Sequence, residues 1–322
     1  MEVICLRSAY IALGYACNHN CIFCPCGKDR PRNTALSIDE FKQSIESVIK
    51  SGATSVTISG GEPTLQPLLF DYLKILEESQ LHIELLSNSD SLSDVKLVTQ
   101  IVSAISPNKL SLTTSIHSHQ PEIHDYVTSC QGSWKRTIQG LKNAHSNGIR
   151  VTVKHCIAKQ NYKDISAFVS FIYDTFPDDV GLLFCSIDYC GLSSENAVNV
   201  QVTFREEGKY IEQALDKVIF YRDIEKRLRL VVVTDTPLCC IDPYYWEFYS
   251  CISKYEISAY AAPSSNGTGH LTSLNVPSDC GTYFTACRQC DAEPICSGAW
   301  RTAYELFGEN AVESIKFKNE EN

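Results

Sequence analysis

Three cysteines near the start of the sequence have a spacing that suits metal chemistry. Cys17, Cys21 and Cys24 form the pattern Cys-x3-Cys-x2-Cys, directly after the first strongly apolar segment. Three thiolates can hold three irons of a 4Fe-4S cluster, whereas structural clusters are normally held by four cysteines. One iron would keep an open position for a small molecule, much as a catalytic zinc does. The spacings also suit a zinc knuckle, so the triplet alone leaves both metals open.

A second motif, Gly60, Gly61, Glu62 and Pro63, directly follows a short β-like run. Two glycines let the backbone approach a ligand closely, and a glutamate can accept hydrogen bonds from an ammonium group. A plain turn before a helix would also explain four such residues. The motif begins 36 residues after Cys24, at the end of a predicted strand, and this position favours a binding motif.

The triplet, with Phe23 before its last cysteine, and the GGEP motif resemble the signature of the radical S-adenosylmethionine (SAM) superfamily. The resemblance implies that the open iron binds SAM, and that one electron splits SAM into methionine and a 5'-deoxyadenosyl radical. That radical then removes a hydrogen atom from the substrate. The resemblance makes the triplet catalytic as well as metal-ligating, and it implies an external electron donor such as flavodoxin or ferredoxin.

Several residues at predicted strand ends match positions where this family contacts SAM. Ile157 is expected to pack on the adenine together with Phe23, although it would also suit an ordinary core. Ser and Asn also favour turns for purely local reasons, and a single His is often simply exposed. The candidate SAM-binding residues are Phe23, Gly60, Gly61, Glu62, Pro63, Ser87, Asn88, Ser115, His117 and Ile157.

Short β-like runs alternate with helical patterns as far as residue 225. The runs cover residues 8–15, 54–59, 82–87, 109–116, 150–158 and 180–187. Parallel neighbours cannot be joined by a tight turn, so this alternation predicts an α/β fold with crossover helices. Six such units match the partial (β/α)6 barrel of the radical SAM family. Chemistry in parallel barrels lies at the carboxyl ends of the strands, and the triplet directly follows the first strand.

The composition of the chain changes in its last third. Beyond Pro237 the sequence is rich in Cys, Tyr, Pro, Ser and Gly and has little periodicity, which is typical of irregular structure. We therefore predict a core barrel over residues 1–227 and a small irregular Cys-rich iron-sulfur domain over residues 228–322.

Cys287, Cys290 and Cys296 resemble the start of the Cys-x2-Cys-x5-Cys-x3-Cys core of the SPASM domain, the auxiliary-cluster module of peptide-modifying radical SAM enzymes. Trp300 stands where the fourth cysteine would fall, so the shortened form with one auxiliary 4Fe-4S cluster, called a twitch domain, fits better. Its fourth ligand would come from upstream. The candidates are Cys239, which we prefer, and then Cys240, Cys280 and Cys251. Four thiolates also suit zinc, and their spacing does not decide between the metals.

Composition narrows the classes of partner. The 322 residues carry 28 Lys+Arg against 38 Asp+Glu, a net charge of -10, which argues against a nucleic-acid surface. No apolar run reaches the ~18 residues of a membrane span, and no signal peptide is evident, so we expect a cytoplasmic protein without a membrane partner.

In a cytoplasmic protein, sixteen cysteines indicate metal ligands and reduced thiols. Outside the motifs we expect small buried thiols at Cys5, Cys26, Cys130, Cys156, Cys185 and Cys190.

Residues 124–162 and 236–248, with the later cysteines, resemble the maturases of the His-Xaa-Ser peptide system, which are predicted modifiers of ribosomally made peptides. The resemblance implies hydrogen abstraction from a peptide, giving a crosslink or another oxidised modification.

Asp188, Tyr189 and Cys190 follow the sixth predicted strand and are candidates for contact with the substrate. We expect no recognition domain before the first strand, which favours a separate recognition partner or, alternatively, a small-molecule substrate of a cofactor or natural-product pathway. A zinc-binding scaffold without catalysis is the alternative of another class.

Overall fold

The computed structural model describes residues 8–32, 34–249, 257–261, 280–282, 284–296 and 298–317. Its main strands are β1 (Ser8–Ala12), β2 (Ser55–Ser59), β3 (His82–Leu86), β4 (Leu110–Ser115), β5 (Arg150–Ile157), β6 (Gly181–Ser186), β7 (Val231–Thr234) and β8 (Ile257–Ala261). They form one parallel sheet in the order β7-β6-β5-β4-β3-β2-β1-β8. A small antiparallel sheet pairs β9 (Cys280–Thr282) with β10 (Ala299–Trp300).

Helices lie between successive parallel strands along the chain, except for the last helix, which follows β10. They are α1 (Ile38–Lys50), α2 (Leu69–Glu78), α3 (Val95–Ala104), α4 (Pro121–Thr128), α5 (Ser133–Ser146), α6 (Ile165–Thr175), α7 (Leu192–Glu195), α8 (Ala197–Val200), α9 (Phe204–Asp223) and α10 (Arg301–Phe307). Helix α1 begins at the capping box of Ser37 and Glu40, which satisfies backbone N–H groups of its first turn. In the described part of the chain, no helix is both long and apolar enough to cross a membrane.

The predicted fold class is confirmed, with a parallel α/β sheet and a Cys-rich carboxyl-terminal region. All six predicted strands form, within a few residues of the predicted bounds. The sheet also has two further strands, β7 and β8, at its edges. Both come from the part of the chain after residue 228, so the sheet extends past the domain boundary that the change of composition predicts. The division into residues 1–227 and 228–322 stays a prediction.

Alternate residues of each strand face opposite sides of the sheet. On β5, Val151, Val153 and Ile157 are buried and belong to the main hydrophobic core with the covering helices. Thr152 and Lys154 are less buried and face the inside of the curved sheet. Because every strand pair is parallel, the carboxyl ends of the strands lie along one edge, and the loops that leave this edge carry the predicted site residues.

A second hydrophobic cluster joins this edge of the sheet to the carboxyl-terminal region. It includes Phe23 from the cysteine loop, Ile187 after β6, and Phe284 and Val312 from the last forty residues. Thiols of the carboxyl-terminal region, among them Cys239 and Cys287, pack against the same cluster. The Cys-rich region therefore packs on the edge of the sheet where the cysteine triplet lies.

Candidate active site

The cysteine triplet lies on the loop that leaves β1. Cys17, Cys21 and Cys24 are partly exposed thiols, and none of them forms a disulfide. A turn links the last two, because the backbone N–H of Cys24 donates to the carbonyl of Cys21 at 3.1 Å. Three reduced, accessible thiols on one loop are the donor set that a 4Fe-4S cluster with one open iron requires.

Backbone hydrogen bonds fix this loop to the end of α4. The N–H of Asn20 donates to the carbonyl of Thr128 at 2.8 Å, and the N–H of Ile22 donates to the carbonyl of Val127 at 2.9 Å. Both bonds use main-chain groups of residues between the cysteines, so they tie the loop to α4 through its backbone.

The GGEP motif packs backbone to backbone against the start of the cysteine loop. The N–H of Gly61 donates to the carbonyl of Gly14 at 2.7 Å, and the N–H of Glu62 donates to that of Ala16 at 2.8 Å. Gly60 has φ +119°, and a Cβ there would lie 2.2 Å from the Gly14 oxygen. A Cβ on Gly61 would lie 2.3 Å from the Ala16 oxygen. Both positions therefore require glycine for this approach.

The Glu62 side chain is fully buried and links the ends of β2 and β3. Its carboxylate accepts from the Thr64 N–H at 3.0 Å and from the Thr64 hydroxyl at 2.6 Å. It also accepts from the Ser87 hydroxyl and the Asn88 N–H, both at 2.7 Å. Pro63, also buried, begins the short 3-10 turn that presents Thr64. A hydrogen bond from a ligand ammonium to Glu62 stays a prediction, and the four protein donors give the carboxylate a structural role.

Asn88 reaches from the end of β3 to the cysteine loop. Its side-chain amide lies 3.8 Å from the Cys17 sulfur and donates to the Asn18 side-chain oxygen at 2.8 Å. The sequence predicts Asn88 as a SAM-binding residue, but it does not predict the contact of Asn88 with Cys17. The pairing depends on the adjacent positions of β1, β2 and β3 in the sheet, and a single sequence carries no signal for it.

The remaining predicted SAM residues separate into two groups. Ser115 is the partly exposed last residue of β4, and Ile157, at the end of β5, is completely buried in the main core. Phe23 belongs to the second cluster and contacts the His117 ring edge to face, with centroids 5.2 Å apart. Phe23 and Ile157 thus pack in different clusters. Burial and the neighbouring His124 lower the pKa of His117 well below its usual value, so its ring is neutral.

The predicted auxiliary thiols line a single pocket in the carboxyl-terminal region. Cys239 comes from a short 3-10 turn after β7, whereas the other three come from residues 287–296. Two sulfurs accept backbone N–H groups at 3.4 Å, that of Cys296 from Gly298 and that of Cys290 from Ile315. The pocket thiols are Cys239, Cys287, Cys290 and Cys296.

The neighbouring thiol of Cys240 has different surroundings from that of Cys239. It is not among the residues that line the pocket, and its S–H donates to the Ala311 carbonyl at 3.8 Å. A thiol that donates to a carbonyl is protonated, whereas a metal ligand is a thiolate. This geometry favours Cys239 as the fourth ligand. Cys251 lies outside the described residues, as does the side chain of Cys280.

The remaining cysteines are less uniform than predicted. Cys185 is buried, but Cys26, Cys130, Cys156 and Cys190 are partly exposed, because loop ends and the inside of the sheet do not exclude solvent as a core does. Cys5 lies outside the described residues.

The three residues after β6 have protein partners in the structure. Tyr189 is buried, and its hydroxyl donates to the Val202 carbonyl at 3.3 Å. The Asp188 carboxylate accepts from the Thr302 hydroxyl at 2.5 Å, and burial raises the pKa of Cys190 to about 12. Their contact with substrate stays a prediction.

The parallel α/β sheet thus brings a candidate metal site after its first strand and the GGEP turn after its second strand to one edge. The family model of the radical SAM superfamily matches residues 11–172. This match covers half of the chain, and the protein belongs to that superfamily.

Curated relatives of this chain carry the names of different activities. The "Probable GTP 3',8-cyclase" of Sulfolobus acidocaldarius is 24% identical over 181 residues, 55% of this chain and 56% of that protein. The "Fe-coproporphyrin III synthase" of Methanosarcina barkeri is 25% identical over 204 residues, 62% of this chain and 49% of that protein. The chain thus spans about half the length of the curated relatives it matches.

A solved structure shows the same fold over nearly the whole chain. The crystal structure of Streptococcus suis SuiB bound to precursor peptide SuiA has a TM-score of 0.67 and 16% sequence identity. The match covers 96% of this chain and 75% of that chain. At this identity the likeness concerns the fold, and it includes the Cys-rich carboxyl-terminal region.

Proposed function

We propose that this radical SAM enzyme modifies a peptide, abstracting hydrogen to form a crosslink or another oxidised linkage. The observation that carries the proposal is the second set of four thiols, which packs on the edge of the sheet beside the triplet. An oxidised product requires an electron acceptor in addition to the radical. The likeness to a peptide-bound structure over 96% of the chain supports a peptide as the substrate.

The donor set around the triplet fits a SAM-binding cluster. Cys17, Cys21 and Cys24 would hold three irons, and Gly60 and Gly61 let the cysteine loop lie directly against the end of β2. With cluster and SAM bound, the site would supply a 5'-deoxyadenosyl radical that removes hydrogen from the substrate. The chain's own part is to fix geometry, because the Glu62 carboxylate and the Asn88 backbone hold the neighbouring strand ends together.

The four pocket thiols fit a closed auxiliary cluster. Cys239, Cys287, Cys290 and Cys296 would leave no iron open, an arrangement that suits electron transfer better than direct binding of substrate. Backbone N–H groups at the Cys290 and Cys296 sulfurs offset thiolate charge, as is usual around iron-sulfur centres. The proposed roles of the two sites therefore follow from their number of thiols.

A small-molecule substrate is the second candidate function. The curated relatives named above carry the names of a nucleotide cyclase and a porphyrin-modifying synthase. Under this alternative the triplet and SAM have the same roles, but no peptide is modified.

Anaerobic coexpression with any short peptide encoded beside this gene, followed by mass spectrometry, tests the proposal. We expect a defined mass loss localised to particular residues, and unchanged peptide with the Cys17→Ala, Cys21→Ala, Cys24→Ala variant. Unmodified peptide with an active enzyme would overturn the peptide proposal in favour of the small molecule. A colourless protein containing zinc without iron or sulfide would overturn the cluster assignment as well.

A further inference from the structure

The four residues after β3, Ser87 to Asp90, contact both the GGEP turn and the cysteine loop. We call this segment the β3 link. Its third residue, Ser89, has φ +58°, a left-handed conformation that is costly for a residue other than glycine. Helix α5 packs directly on it, because a Cβ on Gly140 would lie 2.0 Å from the Ser89 oxygen. Strain held by such close packing is typical of segments with a functional role.

Asp90 anchors the cysteine loop through a residue between two of the cysteines. The ring of His19 lies 2.9 Å from the Asp90 carboxylate, and both side chains are nearly inaccessible. Arg136 on α5 binds the same carboxylate through its Nε, at 2.8 and 3.0 Å. The Asp90 side chain is 10% exposed and that of Arg136 is 39% exposed, so Arg136 meets the carboxylate from the solvent side and His19 meets it from the buried side. The carboxylate is therefore held from both sides.

The same group also has the composition of a small metal site. Ligand atoms of His19, Asp90 and Cys130 all lie within 4.8 Å of one another. Arg136, however, binds two of these three groups, since its Nη2 donates to the Cys130 sulfur at 3.3 Å. A guanidinium already supplies the positive charge that a metal ion would bring, so the geometry favours a positioning role.

The amide of Asn88 is oriented by bonds on each side. Its nitrogen lies 3.8 Å from the Cys17 sulfur, and its oxygen accepts the N–H of Asp90 at 3.0 Å. The Asn88 carbonyl accepts the Thr137 hydroxyl of α5 at 3.0 Å. An N–H aimed at a ligand sulfur withdraws negative charge and favours the reduced cluster, since hydrogen bonds to sulfur help to set reduction potential.

We propose that Asn88 and Asp90 are positioning residues for the cluster at Cys17, Cys21 and Cys24. Asn88 raises the reduction potential of that cluster through its bond to Cys17, and Asp90 retains the cluster by fixing the loop through His19. The proposal rests on the proposed function only in taking the three cysteines as cluster ligands.

Two variants and a matched control test the two roles. Asn88→Ala removes the N–H donor, and Asp90→Asn removes the charge from the buried pair. Asn143→Ala is the control, because Asn143 also joins α5 to the chain after β3 but binds the carbonyls of Leu92 and Ser93. The reconstituted full-length protein is titrated by electron paramagnetic resonance, following the signal that changes when SAM is added, and its iron is counted.

We expect Asn88→Ala to move the midpoint potential of the SAM-sensitive signal to a more negative value. Asp90→Asn should lower the iron content and weaken that signal, whereas Asn143→Ala should match the wild type in both. If Asp90→Asn is insoluble, His19→Ala tests the same step, because it removes the ring that meets Asp90 and leaves the bonds of Asp90 to Arg136 in place. An unchanged potential in Asn88→Ala would overturn the first role. Full iron content in Asp90→Asn or His19→Ala would overturn the second role. A wild-type protein without any SAM-sensitive signal would instead refute the proposed function.

Discussion

The two thiol sites of this protein are built in opposite ways. The first uses three cysteines from one short loop, and its remaining parts are backbone and polar side chains at the ends of β2 and β3. The second uses four cysteines from two segments separated by 47 residues, 240–286, and they surround one pocket. On the proposed assignment, a cluster at the first site would keep a position for a ligand, whereas a cluster at the second would be closed by the four thiols.

If both sites hold clusters, as proposed, the difference shows how a chain can separate two uses of the same metal chemistry. Three thiols would leave one iron without a protein ligand, which suits the binding of a second molecule, and the two glycines let the cysteine loop lie directly on the end of β2. Four thiols with backbone N–H donors suit a centre that exchanges only electrons. Variants that damage one site and leave the other intact therefore test this comparison most directly.

Gly61→Ala should have the largest effect, and it should be confined to the first site. The added Cβ would lie 2.3 Å from the Ala16 carbonyl oxygen, so the strand end and the cysteine loop must move apart. A misplacement of about 1 Å can cost about 100-fold in rate. We expect a loss of that order in 5'-deoxyadenosine formation, with the iron of the auxiliary site retained. An unaltered rate would show that this contact is dispensable.

Glu62→Gln should reduce the same reaction less. The amide keeps the size of the side chain but turns one acceptor into a donor, facing Thr64, Ser87 or Asn88. An unsatisfied buried group costs about 1–3 kcal/mol, and about 1.4 kcal/mol corresponds to a tenfold change. The rate of SAM cleavage should fall about tenfold. A rate equal to that of the wild type would contradict a role for Glu62 in holding the two strand ends.

Cys239→Ala and Cys240→Ala form a matched pair at the second site. Cys239 lines the pocket and its neighbour does not, so only the first change should remove a ligand. The iron content should fall from about eight to about four per chain with Cys239→Ala, since each cluster holds four irons. Cys240→Ala should keep the full content. Loss of iron in Cys240→Ala alone would exchange the two assignments.

Buried carboxyl groups near the two sites should respond differently to pH. Burial raises the pKa of Glu207 on α9 to about 8; its carboxyl accepts from the Ser186 hydroxyl, which in turn bonds Thr236 shortly before Cys239. Burial alone would also raise the pKa of Asp90, but hydrogen bonds from Arg136 and His19 lower it.

A raised carboxyl pKa means that the folded state binds the proton more tightly than the unfolded chain. The contribution of Glu207 to stability is therefore fully present below pH 4.5 and is lost as pH rises toward about 8, at most about 1.4 kcal/mol per pH unit. Between pH 6 and pH 8 the melting temperature of the wild type should fall more than that of Glu207→Gln. Equal falls would show that Glu207 is not the titrating group.

The sequence predicts the strands and the thiol motifs better than the contacts between them. The six strands have strong periodicity, and the cysteine spacings involve only residues close together in the sequence, so both can be predicted from the sequence alone. Strand β7 is a short apolar run after basic residues, and β8 lies in the part of the sequence that has little periodicity. Their pairing with the sheet is therefore not predictable from the sequence. The same holds for the pairing of His19 with Asp90, because it depends on which strands become neighbours.

One measurement tests the central claim, that the triplet is the centre of SAM chemistry. The purified, reconstituted protein is incubated anaerobically with SAM and a reductant, beside the variant in which Cys17, Cys21 and Cys24 are all alanine. We predict 5'-deoxyadenosine from the wild type and none from the variant, whose auxiliary thiols are intact. Cleavage of SAM that persists in the variant would contradict the claim.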